Sequence, residues 1–325
     1  MPESEPTGAL LDVAEVHAAA PRIAPYLHRT PLIRSTTLSQ QFGAEVHLKL
    51  ECLQKTGSFK PRGAFNKLLG LSDAQRAAGV VGVSGGNHAQ GVAYAARCLG
   101  SRATICMPKT TPQNYLDATR GYGAEIVLAD DIHAAFAACE ALQEQGMTMI
   151  HPFDDWDVMA GQGTLALEIL EDVPELTRIY ISIGGGGLIA GMAAVLKAAN
   201  PAIHIVGVET AGADAMTRSI RAGEIIEMPA ITSIARTLGS PRVSERTYRH
   251  VEQLVDELVV VEDDATVEAL VFLLERTKTL VEPAAACCLA AAWQQQASIG
   301  QGEQVALLMC GGNVSVADLK QWSAR

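Results

Sequence analysis

The chain has 325 residues, a formal charge of −11, 48% hydrophobic residues and 19% charged ones. That balance is globular and not disordered, and the length can bury one large or two moderate cores. The acids are spread along the chain, which argues against a nucleic-acid surface or a basic face for an anionic membrane, so any anionic ligand must be held by local backbone dipoles or single bases.

No stretch offers about 18 uninterrupted apolar residues, so no membrane span is expected. The start, MPESEPTGALLD, lacks a basic segment leading into a long apolar run, and no signal peptide is expected. Seven scattered cysteines without a CxxC pair fit a reducing cytoplasm. Cys287 and Cys288, flanked by alanines, read as small helix residues.

Residues 10–28 carry apolar positions at helical spacing and break at Pro25 and Pro31. Val46, Leu48, Leu50 and Cys52 alternate with His47, Lys49 and Glu51, the pattern of a half-buried strand. That strand leads into TGSFKPRGAFN, residues 56–66, where Lys60 lies beside Phe59 between Gly57 and Gly63. A lysine that does chemistry must be withdrawn from water so that its amine is neutral near pH 7, and an apolar neighbour on a tightly turned backbone suits that. An isolated lysine is ordinarily a solvated surface group; the glycine turns that follow change the weighing. Pro61 suits the first turn of a helix continuing over Arg62 to Leu71.

Strands are predicted at 80–84, 103–107, 125–128, 148–151, 178–183, 203–208, 258–261 and 305–309. Helical patterns lie at 89–99, 132–145, 187–199, 265–278 and 284–296. This alternation predicts an α/β protein with mainly parallel sheets, which place ligands at the carboxyl ends of strands. Composition shows no linker, repeat or low-complexity tract. The acid-rich stretch from His250 to Asp264 reads as an exposed edge and turn.

Three glycine-rich turns fall at predicted strand ends. Ser84-Gly85-Gly86-Asn87-His88 leads into a helix, whose first N–H groups, with the Ser84 hydroxyl and Asn87 amide, suit a carboxylate or a ring oxygen; the plainer reading is a capped βα turn. Gly184-Gly185-Gly186-Gly187 calls for bare backbone, as a phosphate on N–H groups at a helix start would. Gly185, Gly187 and Ala190 also fit GxGxxA, with Glu209 at the spacing of a ribose-binding acid, so a nicotinamide-dependent oxidoreductase stays open at this point. Cys310-Gly311-Gly312-Asn313 follows the last strand; Cys310 either faces the crevice or is a buried strand-end thiol.

TGSFKPRGA, SGGNHAQGVAYAA, HPFDD with AGQGTLALEI, GGGGLIAG and VEPAAA occur in the order seen in serine/threonine dehydratases. The chain therefore resembles these enzymes of the second fold type of pyridoxal-phosphate proteins, which includes serine racemase, from about Arg29 to Asn313. The resemblance implies two domains, each with a mainly parallel twisted sheet flanked by helices. Residues 1–53 and 154–325 would form the large cofactor-binding domain and 54–153 the small one.

It implies pyridoxal 5'-phosphate joined to Lys60 as a Schiff base. Phe59 would pack on the ring, Asn87 would bond the ring hydroxyl, Gly184 to Gly187 with Leu188 would hold the phosphate, and Cys310 would face the pyridine nitrogen. Ser84, Gly85, Asn87 and His88 would take the substrate carboxylate. The implied activity is loss of ammonia from a serine- or threonine-type 3-hydroxy amino acid in cytoplasmic catabolism, by a homodimer or homotetramer.

The departures from the family pattern matter. Serine racemase has a second hydroxyl residue where this chain has Gly85, so a lyase is expected over a racemase or a β-replacement enzyme. Glu209 and the Ala213 carbonyl match cation ligands, but Ala215 stands where a third, acidic ligand is expected, with Asp214 beside it. Tyr115 replaces a usual lysine, and Ala235-Arg236-Thr237 replaces an Ala-Asp-Gly run. Both changes point to threonine, serine, or a bulkier or acidic 3-hydroxy amino acid such as phenylserine, although either could be a surface replacement. Glu282 reads as a cap or core ion-pair partner, with a place near a cation as the family alternative. No regulatory domain is expected after Arg325.

Overall fold

The computed structural model describes residues 9–322; the expectations for the first eight residues and for the chain end lie outside them. The first part of the chain forms α1 (Val13–Ile23), β1 (Leu32–Arg34), α2 (Thr36–Phe42), β2 (Glu45–Lys49), α3 (Pro61–Gly70), α4 (Asp73–Ala78), β3 (Val80–Val83) and α5 (Asn87–Cys98). Next come β4 (Ala103–Pro108), α6 (Gln113–Gly121), β5 (Glu125–Ala129), α7 (Ile132–Glu144), β6 (Thr148–Met149), α8 (Trp156–Asp172), β7 (Arg178–Ser182), α9 (Gly187–Ala199) and β8 (His204–Thr210). The last part holds α10 (Ala215–Ala222), α11 (Glu245–Leu254), β9 (Glu257–Val261), α12 (Asp263–Phe272), α13 (Pro283–Gln294), β10 (Gln304–Leu308) and α14 (Val316–Trp322).

Six strands make one sheet in the order β1-β2-β10-β7-β8-β9, and four make another in the order β5-β4-β3-β6. Every pairing is parallel except β1 with β2. β3 and β7 are buried along their whole length, as strands covered on both faces are; β3 is apolar throughout, and β7 is apolar between Arg178 and Ser182. β9 is an edge strand, as the acid-rich stretch predicts.

Lys49 departs from the simple alternation of β2. Instead of facing solvent it is fully buried, with Nζ bonded to the Thr30 carbonyl at 2.8 Å and paired with Glu168. Arg62 joins the same cluster, donating to both oxygens of Glu51 at 2.8 Å and to Glu168 at 2.7 Å. A buried charge is tolerable only when paired and hydrogen-bonded in this way.

Helix α8 packs against both α3 and α9 at backbone range because glycines line the contacts. A Cβ on Gly161 would lie 2.5 Å from the Arg62 carbonyl oxygen, and one on Gly191 would lie 2.1 Å from that of Met159. This packing fixes the start of α3, and with it Lys60. All seven cysteines are unpaired thiols, with Cys287 and Cys288 buried in α13. Among the described residues no helix is long and apolar enough to cross a membrane.

Candidate active site

Lys60 precedes α3 on a segment stitched to the end of β10. Phe59 N–H donates to the Cys310 carbonyl at 3.1 Å, and Gly312 N–H to the Gly57 carbonyl at 2.9 Å. Thr56 takes φ +62°, an uncommon conformation for a β-branched residue, and its carbonyl accepts from Asn313 Nδ2 at 2.8 Å. The Lys60 amine donates to the Pro152 carbonyl at 2.8 Å and lies 5.1 Å from the Phe59 ring centre. Desolvation lowers its pKa to about 8, against the opposing pull of Cys310 and Glu282. A useful fraction of the amine is therefore neutral near pH 7.

The three glycine turns close around this amine. The first runs from β3 into α5, which opens on Gly86 without a side-chain cap. Asn87 is buried there; its amide donates to Glu282 Oε1 at 2.7 Å and accepts from Asn313 Nδ2 at 2.8 Å. His88 is buried and donates Nε2–H to the Ile150 carbonyl at 2.7 Å, while Nδ1 has no partner among the described residues. Desolvation and Lys60 push its pKa down to about 3, so the ring is neutral. Ser84 Oγ accepts the Gly86 N–H at 3.0 Å, within its own turn.

The second turn leads from β7 into α9, which starts on Gly186 at φ +93°, again without a side-chain cap. Its bareness has a cause the sequence did not suggest. A Cβ on Gly185 would lie 2.1 Å from the Phe153 ring, and one on Gly187 2.8 Å from the Phe153 backbone. Phe153 follows Pro152, so the backbone that receives the Lys60 amine is also pressed against the glycine turn. In the third turn Cys310 is buried; its thiol accepts from Ser182 Oγ at 3.3 Å and lies 3.5 Å from the Ala284 carbonyl. Burial pushes the thiol pKa well up, so it stays protonated.

Glu282 joins the turns. It is 2% exposed; Oε1 accepts from Asn87 and, at 2.8 Å, from Thr237 Oγ1, and Oε2 accepts the Asn313 N–H at 3.2 Å. Glu282 stands at the N-cap position of α13 as the cap reading expected, but its carboxylate does not cap the helix, and among the described residues it makes no ion pair. The Val281 and Pro283 flanks hinted at burial, but the donors come from residues far apart in the chain. Pro152, Phe153 and Thr237 are further neighbours, which the sequence marked only as parts of the HPFDD and Ala235-Arg236-Thr237 stretches, without a role of their own.

Glu209 and Ala213 are placed elsewhere, at the end of β8. The Glu209 carboxylate accepts the N–H groups of Met216 at 2.9 Å and Thr217 at 2.7 Å, so both oxygens serve the start of α10. That leaves it poorly disposed toward the ribose that the nicotinamide reading requires. Asp214 accepts from Arg218 at 3.0 Å. Among the described residues no group of three or more His, Cys, Asp or Glu side chains could hold a metal ion.

The protein family described as "Pyridoxal-phosphate dependent enzyme" matches residues 23–311. The chain belongs to this family. It is 42% identical to the "L-threonine ammonia-lyase" of Geobacter sulfurreducens, over 94% of this chain and 77% of that one. Among solved structures, maize serine racemase superposes with a TM-score of 0.92 at 38% identity, covering 97% of this chain and 98% of that one. The processed form of threonine deaminase isoform 2 from Solanum lycopersicum gives 0.89 at 33% identity, covering 95% of this chain and 100% of that one.

The residues of this pyridoxal-phosphate enzyme fit its cofactor. An aldehyde needs a neutral amine, and the lowered pKa of Lys60, about 8, raises its neutral share near pH 7 well above that of a solvated lysine. A phosphate needs backbone N–H groups at a helix start, and α9 opens uncapped on glycine. The unpartnered Ser58 Oγ and His88 Nδ1 add buried polar atoms suited to a polar ligand.

Proposed function

We propose that the protein is a pyridoxal-phosphate-dependent dehydratase, an ammonia-lyase that converts a 3-hydroxy amino acid of the serine/threonine type to a 2-oxo acid and ammonia. The observation that carries this is the desolvated Lys60 amine at the meeting point of three glycine turns, and the similarity to threonine ammonia-lyase agrees with it. Bound pyridoxal phosphate supplies an electron sink for the pair left at Cα. Lys60 holds the cofactor and, once displaced, takes the Cα proton. Phe59 packs on the ring, Asn87 bonds its hydroxyl, and Gly184 to Leu188 hold the phosphate. Cys310 would lie by the ring nitrogen; as a protonated thiol it is a weak donor, so the bound cofactor would be a moderate electron sink suited to elimination. Ser84, Gly85, Asn87 and His88 take the substrate carboxylate. The hydroxyl leaves with the proton as water, and water re-enters when the released enamine hydrolyses to ammonia and the oxo acid.

Serine racemase is the runner-up, since similar structures carry that name. Gly85 speaks against it: it has no side chain to move a proton, and an added Cβ would lie 2.8 Å from Thr111 Oγ1. A cation at Glu209 and Ala213 draws little support from a carboxylate with both oxygens engaged. The division into a large domain (1–53 and 154–325) and a small one (54–153) is supported by the two separate sheets. A homodimer or homotetramer in the cytoplasm completes the proposal, the unpaired cysteines favouring a reducing compartment.

On the substrate side, Tyr115, Arg236 and Thr237 line a small cavity that reaches Glu282 and Asn313. The Arg236 guanidinium there suits a side chain more acidic than that of threonine, whereas the small volume lends no support to a bulkier one. Threonine, serine, phenylserine and 3-hydroxyaspartate should be assayed for ammonia and oxo acid. Turnover of at least one is expected, falling about 10³-fold or more in Lys60→Ala. A Lys60→Ala protein that keeps its rate, or D-serine made from L-serine as fast as ammonia, overturns the reading.

A further inference from the structure

Thr111 lies in the turn between β4 and α6. Its side chain is 8% exposed, and Oγ1 has no hydrogen-bond partner among the described residues. The backbone around it is settled, with Thr111 N–H donating to the Pro108 carbonyl at 2.9 Å. What the hydroxyl meets is the loop before α5. A Cβ built on Gly85 would lie 2.8 Å from Thr111 Oγ1, and the next residue in range, Pro108, is 3.8 Å away. Positions 85 and 111 therefore share one volume. The hydroxyl carried by residue 111 stands beside the place where a side chain on residue 85 would begin.

Several other polar groups of this loop are engaged, His88 Nδ1 being the exception. Ser84 Oγ accepts the Gly86 N–H, the Asn87 amide is bonded on both sides, and His88 Nε2 is bonded to Ile150. Thr111 brings an unsatisfied hydroxyl to the same loop, close to the uncapped start of α5, where the helix dipole favours an anion. A buried hydroxyl without a partner is costly, and a ligand that accepts from it removes that cost.

We propose that Thr111 Oγ–H is a substrate-binding donor that hydrogen-bonds the α-carboxylate of the amino acid, beside the N–H groups at the head of α5. The inference rests on the reading of residues 84–88 as the carboxylate cradle. It adds that this chain supplies a hydroxyl to the cradle from a second loop, while residue 85 is bare.

Thr111→Val keeps the side-chain shape and removes the hydroxyl; Thr111→Ser keeps the hydroxyl. In the holoenzyme, the KM for the amino-acid substrate should rise about tenfold in Thr111→Val with little change in kcat, and stay near the wild-type value in Thr111→Ser. Binding is read independently of turnover with L-alanine and L-alaninamide, which differ in the carboxylate, through the visible absorbance of the bound cofactor. The preference for alanine should shrink about tenfold in Thr111→Val and persist in Thr111→Ser. Without amino acid, Thr111→Val should melt no lower than wild type, because it removes an unsatisfied buried hydroxyl.

A Thr111→Val protein that keeps the full preference overturns the proposal, as does one that melts lower. A Thr111→Ser protein that loses the preference equally does the same. Failure of every 3-hydroxy amino acid to turn over would count against the dehydratase reading, while the alanine comparison would still decide the role of Thr111.

Discussion

Glu282 shows how a single residue can tie the site to pH. Desolvation is the largest influence on its carboxyl and raises the pKa from 4.5 to about 7, against hydrogen bonds from Thr237, Asn87 and Asn313 that favour the charged form. Between those values the folded protein keeps a proton that the unfolded chain has lost. The stabilisation is thus complete below about pH 4.5 and disappears as pH rises through about 7. A shift of this size corresponds to roughly 3 kcal/mol. Glu209 is raised to about 7 as well, mainly by desolvation, and adds to the same slope. In Glu282→Gln the fall in melting temperature between pH 5 and pH 8 should be clearly smaller than in wild type, with the Glu209 share remaining. Equal slopes in the two proteins would show that Glu282 does not titrate in this window. Lys60, Asn87 and the glycine turns were legible because each is a local pattern at a strand end. Glu282 was not, because its partners sit at residues 87, 237 and 313, and no spacing in the sequence announces that they meet.

At the level of elements, the strands were read well because parallel strands buried on both faces are short apolar runs between turn residues. β1 escaped, being three residues long and mostly exposed. α8 was seen only as a motif, since Gly161 and Gly163 are weak helix formers. Those glycines exist for contact: a Cβ on Gly163 would lie 2.8 Å from the Gly191 carbonyl oxygen. Side-chain period likewise put Lys49 outside, whereas Glu168 on α8 draws it in. The glycine turn before α9 can be tested at this scale. Gly185→Ala places a methyl group 2.1 Å from the Phe153 ring. Such overpacking costs about 1–3 kcal/mol. The variant should melt lower and retain cofactor less well at equal pyridoxal phosphate, and Phe153→Ala in the same protein should recover part of the loss. A Gly185→Ala protein with wild-type melting and cofactor retention would mean the turn has room to spare.

Across the whole molecule, Arg62 connects the helix that follows Lys60 to the end of β2 and to α8. It is 1% exposed and holds Glu51, just after β2, and Glu168 on α8. Removing one member of a buried ionic cluster leaves the others uncompensated, at a cost of about 3–5 kcal/mol. Arg62→Met should lose about that much in urea unfolding, while replacing Lys49, Arg62, Glu51 and Glu168 together by apolar residues should restore most of it. A loss below about 1 kcal/mol in the single variant would place the cluster with weak surface pairs.

The joint between Lys60's segment and the last strand has a consequence for biosynthesis. The Asn313 amide that secures Thr56 is 257 residues further along the chain. A polypeptide emerging from the ribosome displays the reactive lysine long before the strand that shelters it has been made. If Lys60 carries the vitamin as proposed, capture in the final pocket has to wait until β10 has been made, and a message cut short ahead of β10 should yield protein that does not turn yellow.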